Sequence, residues 1–164
     1  MKKRAVWALA AVLLLASGCG GGQKGGGGAE DPDVALDSLY AGMAEECGWE
    51  EGYMADVEGE LLESYYPGLS EIPAKQLVAK IPAMSSDVNE VVLIQCDTEE
   101  DAEEAGGILQ ARIDAQVDGG AWYPETQAAW EKAQVLRQGG TYAALIASGE
   151  FQESLEEQFN QQFS

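Results

Sequence analysis

Near the C-terminus, Phe151, Leu155, Phe159 and Phe163 recur at every fourth position. That period lays one apolar stripe along an α-helix, and a stripe of this kind is core. Leu36, Leu39, Tyr40, Met43 and Cys47 repeat at three and four residues and predict an earlier helix. It would begin at Asp31-Pro32, an N-cap acceptor and a first-turn proline, and stop at Gly48. A shorter helix is expected over 54–66, with Val57, Leu61, Leu62 and Tyr65 on one side and Pro67-Gly68 as its terminator. The period then changes. Residues 76–81 and 90–96 read as strands joined by a polar turn, and the solid run Val91-Val92-Leu93-Ile94 suits a central strand.

Residues 97–117 form the most legible helix. Asp97-Thr98-Glu99-Glu100 has capping-box spacing, and acids in the first two turns complement the positive end of the helix dipole. Ala105, Leu109, Ile113 and Val117 supply its buried stripe, and Gly119-Gly120 ends it. A short helix starts at Pro124, a strand covers 134–136, and a Gly139-Gly140 turn leads to another strand over 142–147. "EVVLIQCDTEEDAEEA" and "YAALIASGEFQESLEE" echo one another as apolar strand, turn and acidic helix. The expected fold is therefore α+β: a four-stranded antiparallel sheet built from two strand-strand-helix units. Its helices should lie mainly on one face, with two N-terminal helices ahead of it.

The first thirty residues follow another pattern. Lys2-Lys3-Arg4 precede an apolar run over 5–16, shorter than the roughly 20 residues that span a bilayer. Residues 1–18 read as a signal peptide. The sequence Leu15-Ala16-Ser17-Gly18-Cys19 resembles a lipobox, in which the cysteine takes a diacylglyceryl group and becomes the first residue. The pattern departs from the usual one, since Ala16 stands where leucine is common. Residues 20–28 hold seven glycines with Gln23 and Lys24 between them, so 19–30 read as lipidated cysteine and tether. About ten such residues reach ~15–20 Å on average. Residues 31–164 form a single acidic domain on its end. The expected location is the cell membrane, anchored on the extracytoplasmic face.

Charge narrows the partners. The chain has 29 acidic and 9 basic residues, a net of −20, and no histidine. Loss of Lys2, Lys3 and Arg4 with the signal peptide leaves 29 acids against six bases, or −23. Such a field repels phosphate backbones, so no nucleic-acid partner is expected. The absence of histidine removes the commonest general base and metal ligand. Asp97, Glu99, Asp101 and Glu103 alternate in the manner of calcium ligands, but Ala102 and Ile108 occupy the glycine and glutamate places of an EF-hand loop. Neither a metal nor a cofactor is expected. Once Cys19 is acylated, Cys47 and Cys96 are an even pair outside the cytoplasm, and either a disulfide or two free thiols would fit.

From Tyr65 onward the order "YYPG", "AKIPAMSSDVNEVVLIQC", a helix bearing Arg112, and "YPETQAAWEKAQVLRQGGTYAALIAS" resembles one family. It comprises small bacterial lipoproteins, mostly clostridial, catalogued as domain of unknown function 4358. The resemblance implies a fold and a location, and it carries no catalytic residues.

Four residues are candidates for ligand binding. Arg112 sits at the edge of a buried stripe, where a guanidinium must snorkel or pair, and Glu90 at the mouth of a strand is its expected partner. Trp122 and Tyr123 follow Gly119-Gly120 in a loop, where they either pin the next helix to the core or stack on a sugar or protein. Nucleophile elbows, zinc-type cysteine pairs and phosphate loops are missing from the sequence. The residues point to a binding or structural interaction module of the cell envelope, with an envelope protein or glycan as its partner. The alternatives are a carboxylate-based hydrolase or an accessory protein that binds a small solute. Cys19→Ala should release the protein from membranes or leave it uncleaved. Fractionation checks this, and unchanged membrane retention after detergent-free washing would refute the anchor.

Overall fold

A computed structural model describes residues 32–84 and 87–164. The expected signal peptide, the lipidated Cys19 with its tether, and the helix-starting Asp31 lie outside the described residues. Among the described residues, no helix is long and apolar enough to cross a membrane.

The sheet has five strands: β1 (Met54–Asp56), β2 (Ala74–Pro82), β3 (Asn89–Cys96), β4 (Gln134–Gln138) and β5 (Tyr142–Ser148). Every pairing is antiparallel, and the order is β1-β2-β3-β5-β4. The five helices are α1 (Leu36–Glu46), α2 (Gly59–Tyr65), α3 (Glu99–Ala115), α4 (Pro124–Trp130) and α5 (Gln152–Gln161). The α+β class and antiparallel sheet stand, but the count of four strands does not, nor do two helices precede the sheet, since β1 lies between α1 and α2.

The added strand lies inside the expected helix 54–66. Met54, Ala55 and Asp56 pair with Pro82, Ile81 and Lys80 at the edge of the sheet, and Lys80 forms an ion pair with Asp56. Gly59 has φ +55° at the start of α2, separating the strand from the seven-residue helix. Starting there turns the buried side to Leu62 and Tyr66, leaving Leu61 exposed and Tyr65 partly so. Helical period alone could not show the open edge of β2 that recruits this segment.

Helices on one face is the second expectation overturned. Every residue of β3 and β5 is buried, a pattern that requires cover on both faces. Val92, Ile94, Ala143 and Leu145 face a cluster containing Leu62 of α2, Leu109 and Ile113 of α3, and Trp130 of α4. Val91, Leu93, Ala144 and Ile146 face Leu36 and Met43 of α1 with Leu155 and Phe159 of α5. Thus α1 and α5, at opposite ends of the chain, cover the second face together.

Local signals were adjusted by long-range contacts. Residues 32–35 are not helical, and α1 starts at Leu36. The Tyr142 hydroxyl donates to Pro32 O at 2.8 Å and accepts from Val34 N at 3.2 Å. Gln76 donates to Val34 O and accepts from Leu36 N, both at 2.9 Å. At α3 the cap is Thr98, whose hydroxyl accepts from Asp101 N at 3.1 Å. After Ala115 the helix widens into a π-turn over Gln116–Gly120, which Gly119 closes at φ +130°. The loop carrying Trp122 and Tyr123 starts there. Leu109 is fully buried between α3 and the sheet. Leu109→Ala should cost about 2–5 kcal/mol in urea denaturation, with the m-value retained.

Candidate functional site

Glu90 is the second residue of β3, paired with Ala147 of β5, and strand alternation places it on the α3 side with Val92 and Ile94. Its side chain is 6% exposed. A carboxylate there must be satisfied from within the protein. Two residues do this. Arg112 of α3 donates from Nε to Oε1 at 2.8 Å and from Nη2 to Oε2 at 2.9 Å. Tyr66, just after α2, donates its hydroxyl to Oε1. The guanidinium carbon lies 4.5 Å from the Tyr65 ring centroid and 5.2 Å from that of Trp130, so aromatic faces shield the pair. The pairing of Glu90 with Arg112, expected from their positions, is present in bidentate form.

The two donors keep their protons. Burial, and then the charge and hydrogen bond of Glu90, raise the Tyr66 hydroxyl well above its usual range, so it remains a donor. Burial pulls Arg112 downward, but its hydrogen bonds and attraction to Glu90 outweigh this and hold it charged. Both Glu90 oxygens are therefore occupied by donors that do not titrate near neutral pH. This arrangement is suited to holding a shape, and poorly suited to taking or giving a proton.

A cavity of about 490 Å³ opens beside the ion pair. Glu90, Arg112, Tyr65 and Trp130 line its inner wall, while Trp122 and Tyr123 line its outer wall. Trp122 is 89% exposed and Tyr123 69% exposed. Packing of these two rings on the core is thereby overturned: Trp130, one helix further on, is the ring that is buried. The π-turn and Gly119 carry the chain outward before α4, and Thr126 anchors that helix by donating to Tyr123 O at 2.8 Å.

A second cavity of about 410 Å³ adjoins the first, and both are lined by Asp87, Val88, Asn89 and Thr126. Trp49 and Tyr53 stack at 5.9 Å on its wall, with Phe151 edge-on to Trp49 at 6.2 Å. Asn89 fixes the partition by donating to the Tyr53 hydroxyl at 2.8 Å and accepting from Ser148 Oγ at 2.7 Å. The two cavities form one groove across the end of the sheet where β3 begins.

Cys47 lines the second cavity, whereas Cys96 is buried at the far end of β3. Both are free thiols, associated with the clusters on opposite faces of the sheet. Burial first, then Glu46 and Glu150, pushes Cys47 up to about 11. Burial, then Asp101 and Asp97, does the same for Cys96. Neither is a thiolate nucleophile at neutral pH. No group of three or more cysteine, aspartate and glutamate side chains placed to hold a metal occurs among the described residues.

The model of the family described as domain of unknown function (DUF4358) matches residues 48–148. The chain belongs to the DUF4358 family. No curated protein and no solved structure matches the chain. The DUF4358 match takes in all five strands and the Tyr66–Glu90–Arg112 cluster, while α1 and α5 fall outside it.

Sequence reasoning paired Glu90 with Arg112 but missed Tyr66 and the aromatic wall of Trp49, Tyr53 and Phe151. The spacing Leu62, Tyr66, Leu69 was the available signal for Tyr66, because it continues one helical face into the following 3-10 turn. Nothing local links Trp49 to Phe151, which are a hundred residues apart in the chain. Replacing Glu90 or Arg112 alone by alanine should cost about 3–5 kcal/mol. A Glu90→Leu, Arg112→Leu double variant should lose at least about 1 kcal/mol less than the sum of the Glu90→Leu and Arg112→Leu single losses. Urea denaturation of the set measures this, and additive losses would show that the two side chains are energetically independent.

Proposed function

We propose that this DUF4358 protein is a lipid-anchored, extracytoplasmic binding module of the cell envelope whose ligand occupies the groove at the start of β3. One observation carries the reading: large aromatic side chains stand exposed over a cavity whose buried charges are already paired. Exposing a tryptophan at 89% forgoes the burial that stabilises most such rings, about 2–3 kcal/mol for a large apolar side chain. Its place on the wall of a concave site gives that exposure a use. A volume of about 490 Å³ falls within the range of small-molecule sites, which favours a small solute or a short stretch of a larger partner.

The hydrolase alternative needs a carboxyl group free to act as acid or nucleophile. Glu90, the buried carboxylate of the groove, has both oxygens engaged by Arg112, and the other groove carboxylates, Asp87, Glu125 and Glu150, are exposed to water rather than held in a dry cleft. The anchoring part of the proposal rests on the N-terminal sequence: the basic start, the short apolar run, Cys19 and the glycines after it. The tether would hold a strongly negative domain clear of anionic headgroups.

Ligand-observed NMR with a mixed panel of amines, sugars, short peptides and carboxylates tests the reading. Hits should bind the wild-type protein and be lost in Trp122→Ala, while the melting temperature of the variant stays within a few degrees. A panel that gives no hit, or hits indifferent to Trp122→Ala, would overturn the groove as the binding site.

A further inference from the structure

We infer that the groove takes a linear alkylammonium ligand of the diamine or polyamine class. The inference rests on the binding reading above and adds to it the chemistry of the occupant. Its basis is the combination of aromatic faces with carboxylates that have no cation partner.

Among the described residues the ion pairs are Lys80–Asp56 and Arg112–Glu90. The second neutralises both charged groups on the inner wall of the first cavity. Three further carboxylates line the groove and belong to neither pair: Asp87 at the shared partition, with Glu125 and Glu150 in the second cavity. Asp87 accepts a long 3.5 Å contact from the Tyr53 hydroxyl, too weak to replace a cation. The groove thus carries a net charge of about −3 on a chain of net −20, a field that repels anions and concentrates cations.

Charge alone would suit any cation, and the aromatic rings narrow the class. Trp49 and Tyr53, stacked on each other, line the second cavity together with Glu125 and Glu150, and Trp122 and Tyr123 line the first together with Asp87. An ammonium held over a tryptophan or tyrosine face gains a cation–π attraction, and the methylenes between two ammonium groups gain apolar contact with the same rings. A hydrated magnesium ion would gain neither, and a neutral sugar would leave the three carboxylates unanswered. Two adjoining cavities that share one carboxylate partition suit a ligand with amines at intervals along a narrow chain. At neutral pH its amines are charged, so binding requires no proton transfer from the groove.

Isothermal titration of the full-length chain in detergent, with spermidine as the probe, tests the proposal. Spermidine should bind saturably and weaken as salt rises. Glu125→Gln with Glu150→Gln should reduce affinity about tenfold, and Trp49→Ala should reduce it comparably. Glu103→Gln with Glu104→Gln, on the exposed side of α3, should change it little. Because the glutamine variants alter exposed side chains, their unchanged melting curves would exclude unfolding as the cause. Magnesium competing as well as spermidine, or an equal loss in the α3 control, would overturn the proposal as general polyanion attraction. Sugars or carboxylates binding at Trp122 without spermidine would overturn the ligand class and leave the groove reading standing. A lysine-bearing peptide that binds where spermidine does not would likewise overturn the class. If no probe binds, both readings fall.

Discussion

The constraint on which this fold depends is the double-sided burial of β3. Eight consecutive residues, Asn89 to Cys96, are withdrawn from water on both faces. Such a strand cannot stand at an edge or face solvent, so it must have a strand on each side and a helical layer above and below. β2 and β5 supply the first requirement, α2, α3 and α4 one layer, and α1 with α5 the other. The segment over 32–35 stays out of the helix for the same reason. Tyr142 and Gln76, projecting from the sheet, hold its backbone where α1 can close the second face.

The same burial makes Glu90 consequential. A carboxylate at the mouth of this strand lies too deep for hydration, and the cost of desolvation is met by three hydrogen bonds from two other elements. Tyr66 and Arg112 thereby tie the end of α2 and the last turns of α3 to the sheet. Tyr65 and Trp130 close over the guanidinium. Structure and site are one arrangement here, since the pair that joins the elements is also the wall of the cavity beside it.

Around that rigid wall the groove is assembled from distant stretches of chain. The π-turn and Gly119 send Trp122 and Tyr123 outward, and Trp49, Tyr53 and Phe151 gather from the two ends of the domain. Both thiols stay protonated and the buried carboxylate is fully engaged, so the groove presents aromatic faces and charge to solvent. That is the physical ground of the binding role proposed above.

Much of this was legible in the residues. The apolar run at 91–94 marked the central strand, the stripe through Leu109 and Ile113 marked α3, and Arg112 at the stripe's edge called for the carboxylate at Glu90. These are determined by sequence because each depends on period, on local caps or on the cost of burying a charge. Tertiary structure decided the rest. Met54–Asp56 became a strand because β2 offered an unpaired edge, and α1 with α5 took the second face because β3 and β5 needed cover there. Trp122 stayed in water while Trp130 went inside, since the turn at Gly119 points one ring away from the core and α4 points the other into it. Local pattern determined which residues seek burial. Only the packed chain could decide which surfaces were left to bury them, and which aromatic rings remained outside to form a groove.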